Sequence, residues 1–214
     1  MHIEVLVEDQ SGMKLLEALL PKLLGEQGQP HTWRLHAYKG IGRIPQNLGT
    51  VADPAKRILL DRLPRLLQGY GRTPGIDAVV VVVDSDKQNC VDFLAKLKAL
   101  AAPAPQTLFR LAIEEVEAWY LGDRQAVLSA YPRAKTAVLD SYVQDSACGT
   151  WEKLADALYP GGSAAFRKAG GRSPGQVKYE WAEKIGPLLA PERNLSPSFG
   201  KLCDGLRRLI QTSA

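Results

Sequence analysis

The chain has 214 residues, 45% of them hydrophobic and 23% charged, which is ordinary globular usage and excludes wholesale disorder. No apolar run approaches the roughly 18 residues of a membrane helix, and Glu4 and Glu8 interrupt the apolar N-terminal stretch, which argues against a signal peptide. The cysteines Cys90, Cys148 and Cys203 are scattered, with no C-x-x-C, which excludes a disulfide scaffold and a zinc ribbon and suits a reducing cytoplasm; the net charge of +4 permits a polyanionic partner without demanding one.

In chain order, residues 2–7 are a β-branched run that predicts a strand, and residues 8–12 are a polar break. Leucines at helical spacing predict an amphipathic helix over 13–24, interrupted by Pro21. Residues 32–38 alternate and predict a second strand. A glycine-dotted loop over 39–53 leads to a helix over 54–67, with Pro54 suited to its first turn. Residues 77–83 contain five consecutive valines, a poor helix and a good strand buried on both faces. A helix over 91–100, a strand over 107–113 and a helix over 114–121 complete a β-α-β-α-β-α-β-α order. That alternation predicts an α/β fold with a mostly parallel four-stranded sheet flanked by helices. After residue 122 strand signals vanish. Helices are expected over 151–158, 177–189 and 199–210, with glycine-rich loops at 161–162 and 170–175. The expected division is an α/β core over 1–122 and a helical C-terminal extension over 123–214 packed on it.

Open parallel sheets bind ligands beyond the carboxyl ends of their strands. Three such ends carry acids here: Glu8-Asp9, Asp84-x-Asp86 and Glu114-Glu115-x-Glu117. Each alone has an ordinary explanation as a cap, a turn or a helix start. Together, unpaired, they would repel and raise one another's pKa values. A hard divalent cation, Mg²⁺ or Mn²⁺, removes that conflict and prefers oxygen ligands. Asp84 and Asp86 can reach one ion across a turn. Glu114 and Glu117, three apart, are expected to share a helical face, with Glu115 directed elsewhere.

An anionic substrate needs cations. Lys39, Arg43 and Lys87 lie on loops expected to open on the same rim, and Gly40 and Gly42 would let a phosphate approach the backbone. Lys178, just before Tyr179 and Trp181, is a further candidate, within a basic stretch that includes Arg167, Lys168 and Arg172. No G-x-x-x-x-G-K-[ST] occurs, so ATP binding is not expected. Trp119 and Tyr120 read as packing, His2, His31 and His36 show no ligand spacing, and no Ser-His-Asp set is legible.

With these acids in this order the chain resembles a Toprim domain, the α/β catalytic fold of primases, topoisomerases and overcoming-lysogenization-defect nucleases. That pattern has a Glu after the first strand and a D-x-D after the third, matched here by Glu8, Asp84 and Asp86. More closely, the chain resembles a Toprim-like bacterial family, domain of unknown function 4276. The resemblance runs through IEVLVEDQSG (3–12), VVVVVDSDKQNC (79–90) and LAIEEVEAWYLGD (111–123), and more loosely through YKGIGR (38–43) and SPSFGKL (196–202). One departure is Asp9, where the Toprim pattern has Gly.

The resemblance implies Mg²⁺-dependent phosphodiester hydrolysis by an activated water, a nuclease activity. Its catalytic residues would be Glu8, Asp84 and Asp86. These would hold one metal, with Glu114 or Glu117 contributing to a second, and Glu8 could instead serve as general acid or base. Lys39, Arg43, Lys87 and Lys178 would seat substrate phosphates. The implied partner is nucleic acid, DNA favoured, in bacterial defence or DNA maintenance beside a separately encoded ATPase. A homodimer is the default oligomer. The alternatives are a non-catalytic Toprim scaffold that binds nucleic acid or protein, and a haloacid-dehalogenase-like phosphatase. The latter fits worse, because Gln88 follows Asp84-Ser85-Asp86-Lys87 and the motif lies mid-chain.

Overall fold

The computed structural model describes residues 1–45, 58–101 and 105–211. Four parallel strands, β1 (His2–Val7), β2 (Thr32–Ala37), β3 (Ala78–Asp84) and β4 (Gln106–Ala112), form one sheet in the order β2-β1-β3-β4. Helices α1 (Gln10–Leu24), α2 (Leu59–Tyr70) and α3 (Cys90–Lys98) make the crossovers. This is a Rossmann-like α/β sheet. Its central strands β1 and β3 pair in the register Val5↔Val80 and Val7↔Val82, so both end at one rim.

The valine run shows why β3 is central. Val80 and Val82 join a core with Ile3, Val5, Val7 and the α1 leucines, while Val79, Val81 and Val83 join a second core with Leu59, Leu63, Phe93 and Leu97. Successive strand side chains point to opposite faces. A strand covered on both faces therefore needs an unbroken apolar run. Each fully buried aliphatic side chain contributes roughly 1.5–3 kcal/mol.

Helix α1 starts at Gln10, three residues before its expected start at Met13. Asp9 is its N-cap, accepting the Gly12 N–H at 2.7 Å and the Ser11 hydroxyl at 2.8 Å. The helix continues through Pro21 to Leu24. The expected start of the second helix at Pro54, and most of the glycine-dotted loop, lie outside the described residues; the described helix begins at Leu59.

Beyond β4 come α4 (Glu117–Gly122), α5 (Arg124–Ala130), α6 (Thr136–Asp140), α7 (Thr150–Leu158), α8 (Gly162–Ala169), α9 (Pro174–Ile185) and α10 (Pro197–Gln211). The short helices α5, α6 and α8 are not among those expected from the sequence. Helix α9 opens inside the expected glycine loop through a capping box: Ser173 Oγ accepts the Gln176 N–H and the Gln176 side chain accepts the Ser173 N–H. Trp119, Trp181, Phe199 and Leu206 share one buried cluster with the α1 face of the sheet. Among the described residues no helix is long and apolar enough to cross a membrane.

Candidate active site at the carboxyl rim of the sheet

Glu8 and Asp84 stand at the ends of adjacent strands. The Asp84 N–H points at Glu8 Oε2 across 3.4 Å. Burial, then the charge of Asp86, pushes Glu8 up to about 7, with the Asp84 N–H acting in the opposite direction. Burial, then the charge of Glu8, holds Asp84 well above the ordinary carboxylate range. Without an added cation, this pair resists double ionisation.

Lys178 enters from α9. Its ammonium lies 2.8 Å from Glu115 and 3.4 Å from Glu117, with 14% of its side chain exposed. Burial disfavours that ammonium, but attraction to Glu117, Asp84 and Glu115 outweighs it, and the pKa rises. Glu117 has a fully buried side chain, and neither carboxylate oxygen has a hydrogen-bond partner. Burial drives its pKa up to about 7, with Lys178 working against the shift. Tyr120, also buried, has an unpartnered hydroxyl, and burial followed by the Glu117 charge raises its pKa.

Two expectations about the third acidic stretch need correction. Glu114 does not share a helical face with Glu117. It adopts a left-handed conformation (φ 60°), so α4 begins only at Glu117. Its carboxylate turns to the start of α7 and accepts N–H groups from Cys148, Gly149 and Thr150 at 3.2, 2.9 and 2.8 Å. A carboxylate at the positive end of a helix is favourable, and this one is committed there. Glu115, expected to be directed elsewhere, is the residue that joins Glu117 on Lys178.

Asp86 is exposed and also left-handed, at φ 46°. Its N–H donates to the Glu114 carbonyl at 2.9 Å, while the Glu114 N–H donates to the buried Ser85 hydroxyl at 2.8 Å. Two non-glycine residues in this sparsely populated region, locked together, join the turns after β3 and β4. Such conformations cost on the order of 1–3 kcal/mol each and gather at functional sites.

Lys39 and Arg43 are exposed on the loop after β2, whose Gly40 N–H donates to the Glu8 carbonyl at 3.0 Å. That places the loop beside Glu8. Lys87 is exposed in the turn beyond Asp86. Of the downstream basic residues, Arg167 pairs with Glu152 and Arg172 with Glu180. The SPSFGKL segment is structural. Asp145 accepts the Ser196 hydroxyl and the Ser198 N–H, each at 2.6 Å, at the start of α10, and Trp119 Nε1 donates to the Ser198 hydroxyl at 2.9 Å.

One buried cluster gave no signal in the sequence. Glu4, 4% exposed, bonds both His36 Nε2 and His2 Nε2, while His2 Nδ1 meets the Thr32 hydroxyl at 2.7 Å. Strand pairing alone brings these residues together.

A metal at the rim would need oxygen donors, which Glu8, Asp84 and Asp86 supply. Among the described residues, no three or more His, Cys, Asp or Glu side chains are arranged as a ready ligand group. The rim is therefore a convergent pair of carboxylates with Asp86 beside it. That composition still fits Mg²⁺, which is commonly held by one or two carboxylates with waters and substrate phosphates completing the shell. The mutual repulsion of Glu8 and Asp84 is what a cation would relieve, whereas Glu117 already faces the Lys178 ammonium.

The shifts fix the sign of a pH effect. Glu117 binds its proton more tightly folded than unfolded, where a glutamate titrates near 4.3. Its stabilising contribution is complete below about pH 4.5 and is lost as pH rises through about 7. Metal-free protein is expected to lose stability across that window in urea denaturation, on the order of 3 kcal/mol from this group. Glu117→Gln should reduce the slope, leaving the share that Glu8 and Asp84 contribute with the same sign. An unchanged profile would place the shift elsewhere.

Residues 7–207 match the family model described as domain of unknown function (DUF4276). The chain belongs to that family. The match includes Glu8, Asp84, Asp86 and Lys178, beginning at the last residue of β1 and ending within α10. Comparison with curated proteins and with solved structures returned no match.

Proposed function

We propose that this DUF4276 chain is a Toprim-type, divalent-metal-dependent nuclease. The observation that carries the reading is the pairing of Glu8 and Asp84 on adjacent parallel strand ends, each pushed above the ordinary carboxylate range by burial and by a neighbouring acid. Strained Asp86 stands beside them. Acids with such shifts are a recurrent feature of catalytic sites.

Glu8, Asp84 and Asp86 would hold the metal. When bound, Mg²⁺ or Mn²⁺ supplies charge neutralisation at a phosphate oxygen and a water acidified toward neutrality. Lys178 and Glu117 set the charge behind the pair, and the loop carrying Lys39 and Arg43 faces the phosphate from the β2 side. Asp9 does not join the ligands, because its carboxylate caps α1. The attacking group in this reading is water.

The test is incubation of the full chain with supercoiled plasmid and with a single-stranded oligonucleotide, in Mn²⁺, Mg²⁺ or EDTA. Nicking or cutting that requires the metal is the expected result. A second reading, a non-catalytic nucleic-acid-binding scaffold, draws on Lys178, which already gives Glu115 and Glu117 a cation. Binding that persists in EDTA with no turnover in either metal would establish that reading instead.

A further inference from the structure

On the α2 and α3 side of the rim, a cavity of about 380 Å³ opens between the loop after β2 and α3. We propose that it seats one nucleotide of a single strand, the unit adjoining the scissile phosphate; this rests on the nuclease reading above. Its position is the first argument, because Asp86 of the acidic rim forms part of its wall. A strand whose phosphate lies at Glu8 and Asp84 would place its neighbouring unit here.

Chemistry is the second argument. Half-buried Ile41 and Ile44, backed by buried Leu60 and Phe93, give the cavity apolar surface for a base, while Arg43 and Lys96 supply cations for a backbone phosphate. Among the described residues neither of these two side chains is held in an ion pair, whereas Arg167, Arg172 and Lys184 are each paired with a glutamate. Cations along the backbone with apolar surface for bases are how proteins hold single strands. The volume falls in the range of small-ligand clefts and is too small for a duplex.

The loop is also fixed in advance. The Leu59 and Leu60 N–H groups donate to the Gly40 and Ile41 carbonyls at 3.1 and 2.8 Å, and the Arg43 N–H donates to Asp61 Oδ1 at 3.0 Å. Gly42 lies at φ 71°, and a Cβ there would collide with the Ile58 side chain just before α2. Only glycine allows this approach of the loop to α2.

The test is fluorescence anisotropy of a fluorescein-labelled thymidine oligonucleotide with the full chain in EDTA, across a salt series. Lys96→Ala should weaken binding about three- to tenfold and reduce the slope of log affinity against log salt by about 0.7, the loss of one single-strand phosphate contact. Lys98→Ala makes the same charge change on α3 outside the cavity and should leave both values unchanged. Equal losses in the two variants, an unaltered slope in Lys96→Ala, or no binding by the wild type would overturn the subsite. Lys96-dependent binding without metal-dependent cleavage would sink the nuclease reading and leave the subsite standing. Cleavage with no dependence on Lys96 would do the reverse.

Discussion

Asp84→Asn is expected to lower metal-dependent phosphodiester cleavage on the order of a thousandfold or more, while leaving the protein at least as stable as wild type. The rate loss follows from removing a carboxylate where a metal's several kcal/mol of transition-state stabilisation would be anchored. The stability result comes from the metal-free protein. Burial and the Glu8 charge both disfavour the Asp84 anion, so a neutral amide of the same shape removes a conflict. Steady-state cleavage assays and thermal denaturation at pH 8 measure the two effects. A carboxylate kept for structure would give the opposite pair: unchanged cleavage and a lower Tm. Loss of activity together with gained stability is the signature of a site whose function opposes its folding.

The sheet was legible because its signals are local and periodic. Five valines must be a strand covered on both faces, and Val79–Val83 divide between the two cores as a period of two requires. Glu8 and Asp84 were legible for a related reason, since parallel strands joined by crossover helices end on one rim. The third acidic stretch was misread because spacing of three implies a shared face only inside a helix. Glu114 is left-handed, and its partners, the N–H groups of Cys148, Gly149 and Thr150, lie 34 to 36 residues away. No spacing rule reaches that far. Separations of 51 and 53 residues hid the role of Asp145 at α10, and one of 32 hid the junction of Glu4 with His36. The short helices α5, α6 and α8 have only five to eight residues, too few for a helical period to stand out.

Lys178 could be noticed as a basic residue, but its placement depends on α9 packing against α1. That placement gives the largest stability effect expected here. Lys178→Met should cost about 3 kcal/mol at pH 8, because removing one partner of a buried ion pair leaves the other charge uncompensated. Glu117 is the group left exposed to that cost: it is fully buried and its oxygens have no hydrogen-bond partner. As Lys178 now works to lower the Glu117 pKa, its loss drives Glu117 to hold a proton at still higher pH. The penalty should therefore shrink toward pH 5, where Glu117 is neutral in both proteins. Adding Glu117→Gln should restore much of the loss at pH 8. Urea denaturation of the two single variants and the double variant at both pH values closes the cycle. A penalty equal at pH 5 and pH 8, with no rescue by Glu117→Gln, would mean that Lys178 acts through its methylenes alone and that the rim's charge balance is set by other groups.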